Sequence, residues 1–201
     1  MSEGEPSPTE RLALELVSAE GAPLYTATCE LRERPPGPGV APLPSEGLAP
    51  AIRPLYGEPP LFHGQSFQML RALDAHGPLG LTARTEGVAA LGWSQSGPWH
   101  TDPGLVDAAL QLALVFTHET LGGVSLPTGL DELSLHQTGA APGTLRAILR
   151  SHLRSSRDRC VCDVAFVNEA GVLVCEAKGV ETHVIANAET PSLAKPVLPP
   201  V

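Results

Sequence analysis

The sequence predicts an α+β fold, an antiparallel sheet wrapped around one long central helix, and three observations carry that expectation. The segment after Asp102 is apolar almost all the way round at helical spacing. Four strand-like runs separated by turn material follow it, and one or two precede it. A helix without a polar face has to be buried on every side, so the strands must curl around it. That arrangement is the hot-dog fold.

Each element has its own signal. Partly alternating apolar residues over 11–17 and 24–32, with Glu20-Gly21 between them, predict a β-hairpin. Residues 35–54 hold seven prolines, which remove backbone donors and fix φ, so they are read as a linker without helix or central strand. Phe62, Phe67, Met69, Leu70 and Leu73 fall near three- and four-residue spacing ahead of Gly77-Pro78, which predicts a short helix over 61–73. A strand over 79–86 and a short apolar run over 88–93 lead to the long helix. Asp102-Pro103 supplies its N-cap and first position, and Gly122-Gly123 its stop. Strands are expected over 130–135, 144–153, 160–168 and 172–185. The division that results is a hairpin (1–34), a linker (35–54), a hot-dog domain (55–186) and a proline-rich tail (187–201).

Composition limits the function. The chain has 201 residues, enough for one core, with 42% apolar and 17% charged residues, a globular balance. A formal charge of −9 disfavours nucleic acid and anionic membranes as partners, since both require surplus Lys and Arg. No run of 18 apolar residues and no basic-then-apolar N-terminus occurs, which predicts a cytoplasmic protein. Cys29, Cys160, Cys162 and Cys175 form no C-x-x-C pair, and Cys160 and Cys162, two apart in a strand-like run, are read as packing residues on one face. Phosphate loops, H-E-x-x-H and internal repeats are absent from the sequence.

Asp107, Gln111 and His118 fall within about 40° of one another on the helix surface, a polar stripe on an otherwise apolar element. Buried polar groups must be matched by partners or face a cavity. A carboxyl in an apolar tunnel is disfavoured in its charged form and so suits a general acid. The same pattern is also met if Asp107 caps a nearby loop and Gln111 satisfies a strand backbone.

The run from His100 to Gln111, with Asp102-Pro103-Gly104-Leu105-Val106-Asp107 and Gln111 four residues on, resembles the D-x-x-x-Q segment of polyketide synthase dehydratase domains, in their C-terminal hot-dog half. The stretch from Tyr56 to Gln68, which contains Gly64-Gln65-Ser66-Phe67, resembles the family's G-x-x-F stretch that begins the same half. Leu61-Phe62-His63-Gly64 is most similar to the dehydratase at the end of polyunsaturated fatty acid synthase subunits. Leu126-Pro127, followed by Leu135-His136, resembles the strand after the helix. Thr128-Gly129-Leu130 stands where many members carry aromatic residues, which implies a differently shaped tunnel. The resemblance covers roughly residues 55–186.

The resemblance implies that Asp107 protonates the departing β-hydroxyl of a 3-hydroxyacyl thioester and that Gln111 helps to hold it. His63, Phe67, His118, Leu126 and Pro127 are then candidate substrate-binding residues. The family's base, a histidine in H-x-x-x-G-x-x-x-x-P of the first half, matches none of the seven histidines, so the chain looks like a piece of a longer synthase. His63 and His118 are the alternative sources of a base. No metal or organic cofactor is expected, because the thioester already acidifies the α-proton. The substrate would arrive on the phosphopantetheine of an acyl carrier protein, with Arg150, Arg154 and Arg157 as candidate docking residues near Arg146 and Arg159. Other synthase domains are expected partners. A homodimer is expected in isolation, because an unpaired hot dog leaves a sheet edge open. A catalytically silent hot-dog module with a structural or acyl-binding role and a stand-alone hot-dog thioesterase remain as the other readings.

Overall fold

The computed structural model describes residues 10–31, 47–57, 59–93, 99–152 and 155–185. The chain divides into two compact units, 1–37 and 38–201. The first is the expected hairpin, β1 (Glu10–Val17) paired antiparallel with β2 (Pro23–Leu31). Its turn places Gly21 at φ 82°, in the left-handed region that favours glycine. Cross-strand partners share a face, so Leu12, Leu14 and Leu16 stand beside Cys29, Ala27 and Tyr25. The opposite face carries Arg11, Glu15, Thr26, Thr28 and Glu30, with Arg11 and Glu30 paired at 2.7 Å.

The second unit is a hot dog. Its strands are β3 (Ala49–Arg53), β4 (Leu70–Gly77), β5 (Gly80–Glu86), β6 (Ser125–Gly129), β7 (Glu132–Leu135), β8 (Thr144–Ser151), β9 (Arg159–Val167) and β10 (Leu173–Val184). They form one antiparallel sheet in the order β3-β4-β5-β8-β9-β10-β6, with β7 also on β10. Helix α1 (Pro103–Leu121) packs against β4, β5, β6, β8, β9 and β10. Leu105, Leu112, Val115 and Phe116 meet Leu81, Leu149, Val164, Phe166 and Val180 in the core. Cys160, Cys162 and Cys175 are buried among them as free thiols, which agrees with the reading of Cys160 and Cys162 as packing residues.

Two expectations are corrected. Residues 61–73 form no α-helix: Gln65–Phe67 is a single 3-10 turn and β4 begins at Leu70. The helical spacing was produced by irregular pairing. Register shifts between Leu70 and Ala72 and between Leu73 and Ala75 bury the adjacent residues Ala72 and Leu73 together, which breaks the strand period of two. Gly77-Pro78 then belongs to a tight β4–β5 turn rather than a helix stop. The sheet also starts inside the proline-rich stretch, at Ala49. Pro50 is tolerated because β3 is an edge strand, where a missing donor breaks no inner ladder. Residues 32–46, residues 153 and 154, and the tail from 187 lie outside the described residues.

One buried carboxylate joins the helix start to two loops. Asp102 caps α1 by accepting from the Gly104 amide at 2.9 Å, and also accepts from Val88 (3.2 and 3.3 Å) and Ala141 (2.8 Å). A Cβ at Gly87 would fall 1.9 Å from Asp102 Oδ2, so the loop reaches the cap only because position 87 is glycine. Asp102→Ala leaves three buried N–H groups without partners, and urea denaturation should show a loss of about 3 kcal/mol, with Asp102→Asn losing roughly half as much.

Candidate active site

The loop from Pro54 to Met69, between β3 and β4, lies over the N-terminal half of α1. On that half Gln111 is buried and Asp107, one turn earlier, is half-buried. Gln111 Nε2 donates to Asp107 Oδ2 at 2.6 Å and to the Phe67 carbonyl at 2.8 Å. Its Oε1 accepts a short hydrogen bond from the Tyr56 hydroxyl, which in turn accepts from the Leu70 amide at 2.9 Å. The carboxyl is thus held at the end of a chain that runs from the backbone of β4 through Tyr56 and Gln111.

Burial pushes the Tyr56 phenol up to about 12, with the Leu70 amide opposing the shift and the Asp107 charge adding to it. The phenol stays protonated at neutral pH and remains a donor to Gln111. Tyr56 carried no periodicity or spacing signal in the sequence, and its partner Gln111 is 55 positions away.

His63 adjoins this cluster. Its ring meets Tyr56 edge-on at 6.4 Å and stacks on Phe62 at 5.6 Å, and its buried Nδ1 has no hydrogen-bond partner. An unmatched buried nitrogen beside a polar network has capacity for a ligand or water. Phe67 is exposed, its ring edge-on to Trp93 at 5.1 Å. Hence Asp107, Gln111, His63 and Phe67 come together.

The other candidates do not. His118 sits at the far end of α1, its Nδ1 2.9 Å from the Gly123 carbonyl, about 10 Å along the axis from Gln111. Leu126 and Pro127 lie on β6 opposite His183 and Thr182, Leu126 exposed and Pro127 half-buried. Arg150 is exposed on β8 opposite Asp163, and Arg157 is exposed in the loop before β9. Arg159 is paired with Glu181, and Arg154 is outside the described residues. Loop capping falls to Asp102 rather than Asp107, while Gln111 bonds a backbone carbonyl and Asp107 as well.

An antiparallel sheet curled around a helix that presents an Asp-x-x-x-Gln pair defines a hot-dog protein. The family model described as "Polyketide synthase dehydratase N-terminal domain" matches residues 51–192. The chain belongs to the polyketide synthase dehydratase family. The model's description names the N-terminal domain, whereas the Asp-x-x-x-Gln spacing is what ties the chain by resemblance to the C-terminal half. Among solved structures, a GphF DH1 variant described as isomerase-inactive aligns at TM-score 0.61 with 16% identity, over 89% of this chain and 65% of that one. A trans-AT polyketide synthase dehydratase domain from Brevibacillus brevis aligns at 0.59 with 17% identity, over 89% and 66%. The dehydratase domain of RzxB from Pseudomonas fluorescens aligns at 0.58 with 15% identity, over 87% and 64%. The chain therefore spans about two thirds of the length of these domains, and the likeness is one of fold. No curated protein matches the chain. Among the described residues no helix is long and apolar enough to cross a membrane.

The chain has two tyrosines, so Tyr25→Phe leaves Tyr56 as the sole phenol. Absorbance titration of that variant should show tyrosinate forming near pH 12. Adding Asp107→Asn removes the neighbouring negative charge and should lower the midpoint; an unchanged midpoint would separate the two side chains electrostatically.

Proposed function

We propose that this chain is the acid-bearing hot dog of a dehydratase that removes water from a 3-hydroxyacyl thioester to give the 2-enoyl thioester. The observation that carries the reading is the Asp107–Gln111 pair, held at 2.6 Å on the face of α1 beneath the 54–69 loop. A half-buried carboxyl fixed by an amide suits protonation of a leaving hydroxyl, because it is positioned and only partly hydrated. Asp107 gives its proton to the C3 oxygen, Gln111 holds the carboxyl and helps to hold the hydroxyl, and a base removes the C2 proton. A histidine in a preceding hot-dog half, in the same synthase, would supply that base. His63, whose ring packs against Tyr56, and Phe67, whose carbonyl holds Gln111, are the substrate-binding candidates beside the pair. The thioester provides the acidity at C2, so the step calls for no metal or organic cofactor.

The substrate class that fits is an acyl chain on the phosphopantetheine arm of an acyl carrier protein, with the exposed Arg150 and Arg157 as docking candidates on an otherwise acidic surface. The Leu61-Phe62-His63-Gly64 motif favours the dehydratase of a polyunsaturated fatty acid synthase as the particular setting. The apolar face of the β1–β2 hairpin, where Leu14, Leu16 and Tyr25 are exposed, calls for a covering surface from another synthase domain or from a second copy. The absence of the family's histidine motif from the sequence favours a second reading, a silent hot dog that binds acyl chains without turning them over.

Asp107→Asn decides between them in the full-length protein that carries the chain. Water loss from a 3-hydroxyacyl carrier substrate, followed by mass spectrometry, should fall by about 10²–10⁴-fold while the urea midpoint stays unchanged. Equal activity in parent and variant, or none in either, supports the silent module, and acyl-thioester hydrolysis by the chain alone would point to a thioesterase.

A further inference from the structure

Every polar atom of the Gln111 amide is engaged, and two backbone groups of fixed polarity decide how. The Leu70 amide can only donate, so the Tyr56 hydroxyl accepts from it and has its single proton left for Gln111 Oε1. The Phe67 carbonyl can only accept, so it requires the Gln111 nitrogen. These two constraints come from different sides of the amide and agree on its orientation. The remaining N–H of Gln111 is therefore turned onto Asp107 Oδ2.

We infer that Tyr56 is a positioning residue for the acid: by locking the Gln111 amide in one orientation, it makes Asp107 Oδ2 an acceptor and leaves Oδ1 as the oxygen that delivers the proton. A flipped amide would present Oε1 to the carboxyl. Asp107 would then place its proton on Oδ2, donate it to Gln111 and withhold it from substrate. The orientation follows from the hydrogen bonds alone, while its use in chemistry rests on the dehydratase reading. In that step the Oδ1–H bond breaks and the proton passes to the C3 hydroxyl oxygen. The C3–O bond breaks with its electron pair leaving in water. The base takes the C2 proton, and the C2–H electrons become the C2=C3 π bond. Asp107 ends as a carboxylate whose Oδ2 still accepts from Gln111.

The test is Tyr56→Phe, which keeps the ring and removes the hydroxyl. The two Gln111 side-chain N–H signals, assigned by their loss in Gln111→Leu, should be protected from water exchange in the parent. In Tyr56→Phe they should shift and exchange at least about tenfold faster, because opening of the amide is no longer opposed. In the full-length protein kcat for water loss should drop about tenfold with KM unchanged, and Tyr56→Phe with Gln111→Leu should be no slower than Gln111→Leu alone. Gln111 signals and exchange identical in parent and Tyr56→Phe would overturn the inference. So would an unchanged kcat in a protein that Asp107→Asn inactivates. If Tyr56→Phe does not fold, 3-fluorotyrosine at position 56 in a Tyr25→Phe background must move the same amide signals. Should the parent show no dehydration, the functional reading fails while the amide measurement still decides the role of Tyr56.

Discussion

The structure depends on burying α1 on nearly all sides. An unmatched amide or hydroxyl inside such a core costs roughly 1–3 kcal/mol by mutational measure, so each polar group on the helix must find a partner. They do so in three ways. Asp102 takes three loop and helix amides at the start of the helix. Thr117 donates back to the Ala113 carbonyl at 2.8 Å and lies 2.6 Å from the Thr182 hydroxyl on β10. Gln111 uses its whole amide on Tyr56, Phe67 and Asp107. Of the Asp107–Gln111 pair, Asp107 is the member left only half-buried, and it is the one with chemistry to offer.

That difference follows from how the cover is built. Over the C-terminal half of α1 the inner strands close the core around Phe116, with Cys160 from β9 and Val180 from β10. Over the N-terminal half the cover includes the 54–69 loop, whose Phe67 carbonyl accepts from Gln111, and the first residue of β4, whose Leu70 amide donates to Tyr56. Inside a strand ladder both groups would be taken by a neighbouring strand. The loop leaves them free to organise side chains, which is why a polar network forms at this end of the helix. A site at a loop carried by a rigid scaffold is also where binding residues concentrate in general.

Much of this was legible in the sequence where the cause is local. The helix, its Asp102-Pro103 start and its glycine stop depend on neighbours in the chain, and the structure places α1 at Pro103–Leu121. The hairpin and the strands β8 to β10 follow from alternation and turn residues in the same way. The 61–73 segment misled because two register shifts in β4 bury adjacent residues and imitate a helical repeat. The site was half legible: Asp107 and Gln111 are one turn apart, so spacing joins them. Phe67 and Tyr56 reach Gln111 across 44 and 55 positions, and only the fold brings them there. His118 shares the stripe by angle but not by position along the axis, which a projection down the helix does not reveal.

The central claim is that the Asp107 carboxyl, held by Gln111, faces the place where substrate binds. Titration of a 3-hydroxyacyl pantetheine thioester into the isotope-labelled chain, followed by NMR, tests it most directly. Shifts should concentrate at His63, Phe67, Asp107 and Gln111. Shifts confined to the outer face of β8 and β9, with those four residues unmoved at saturating ligand, would contradict it.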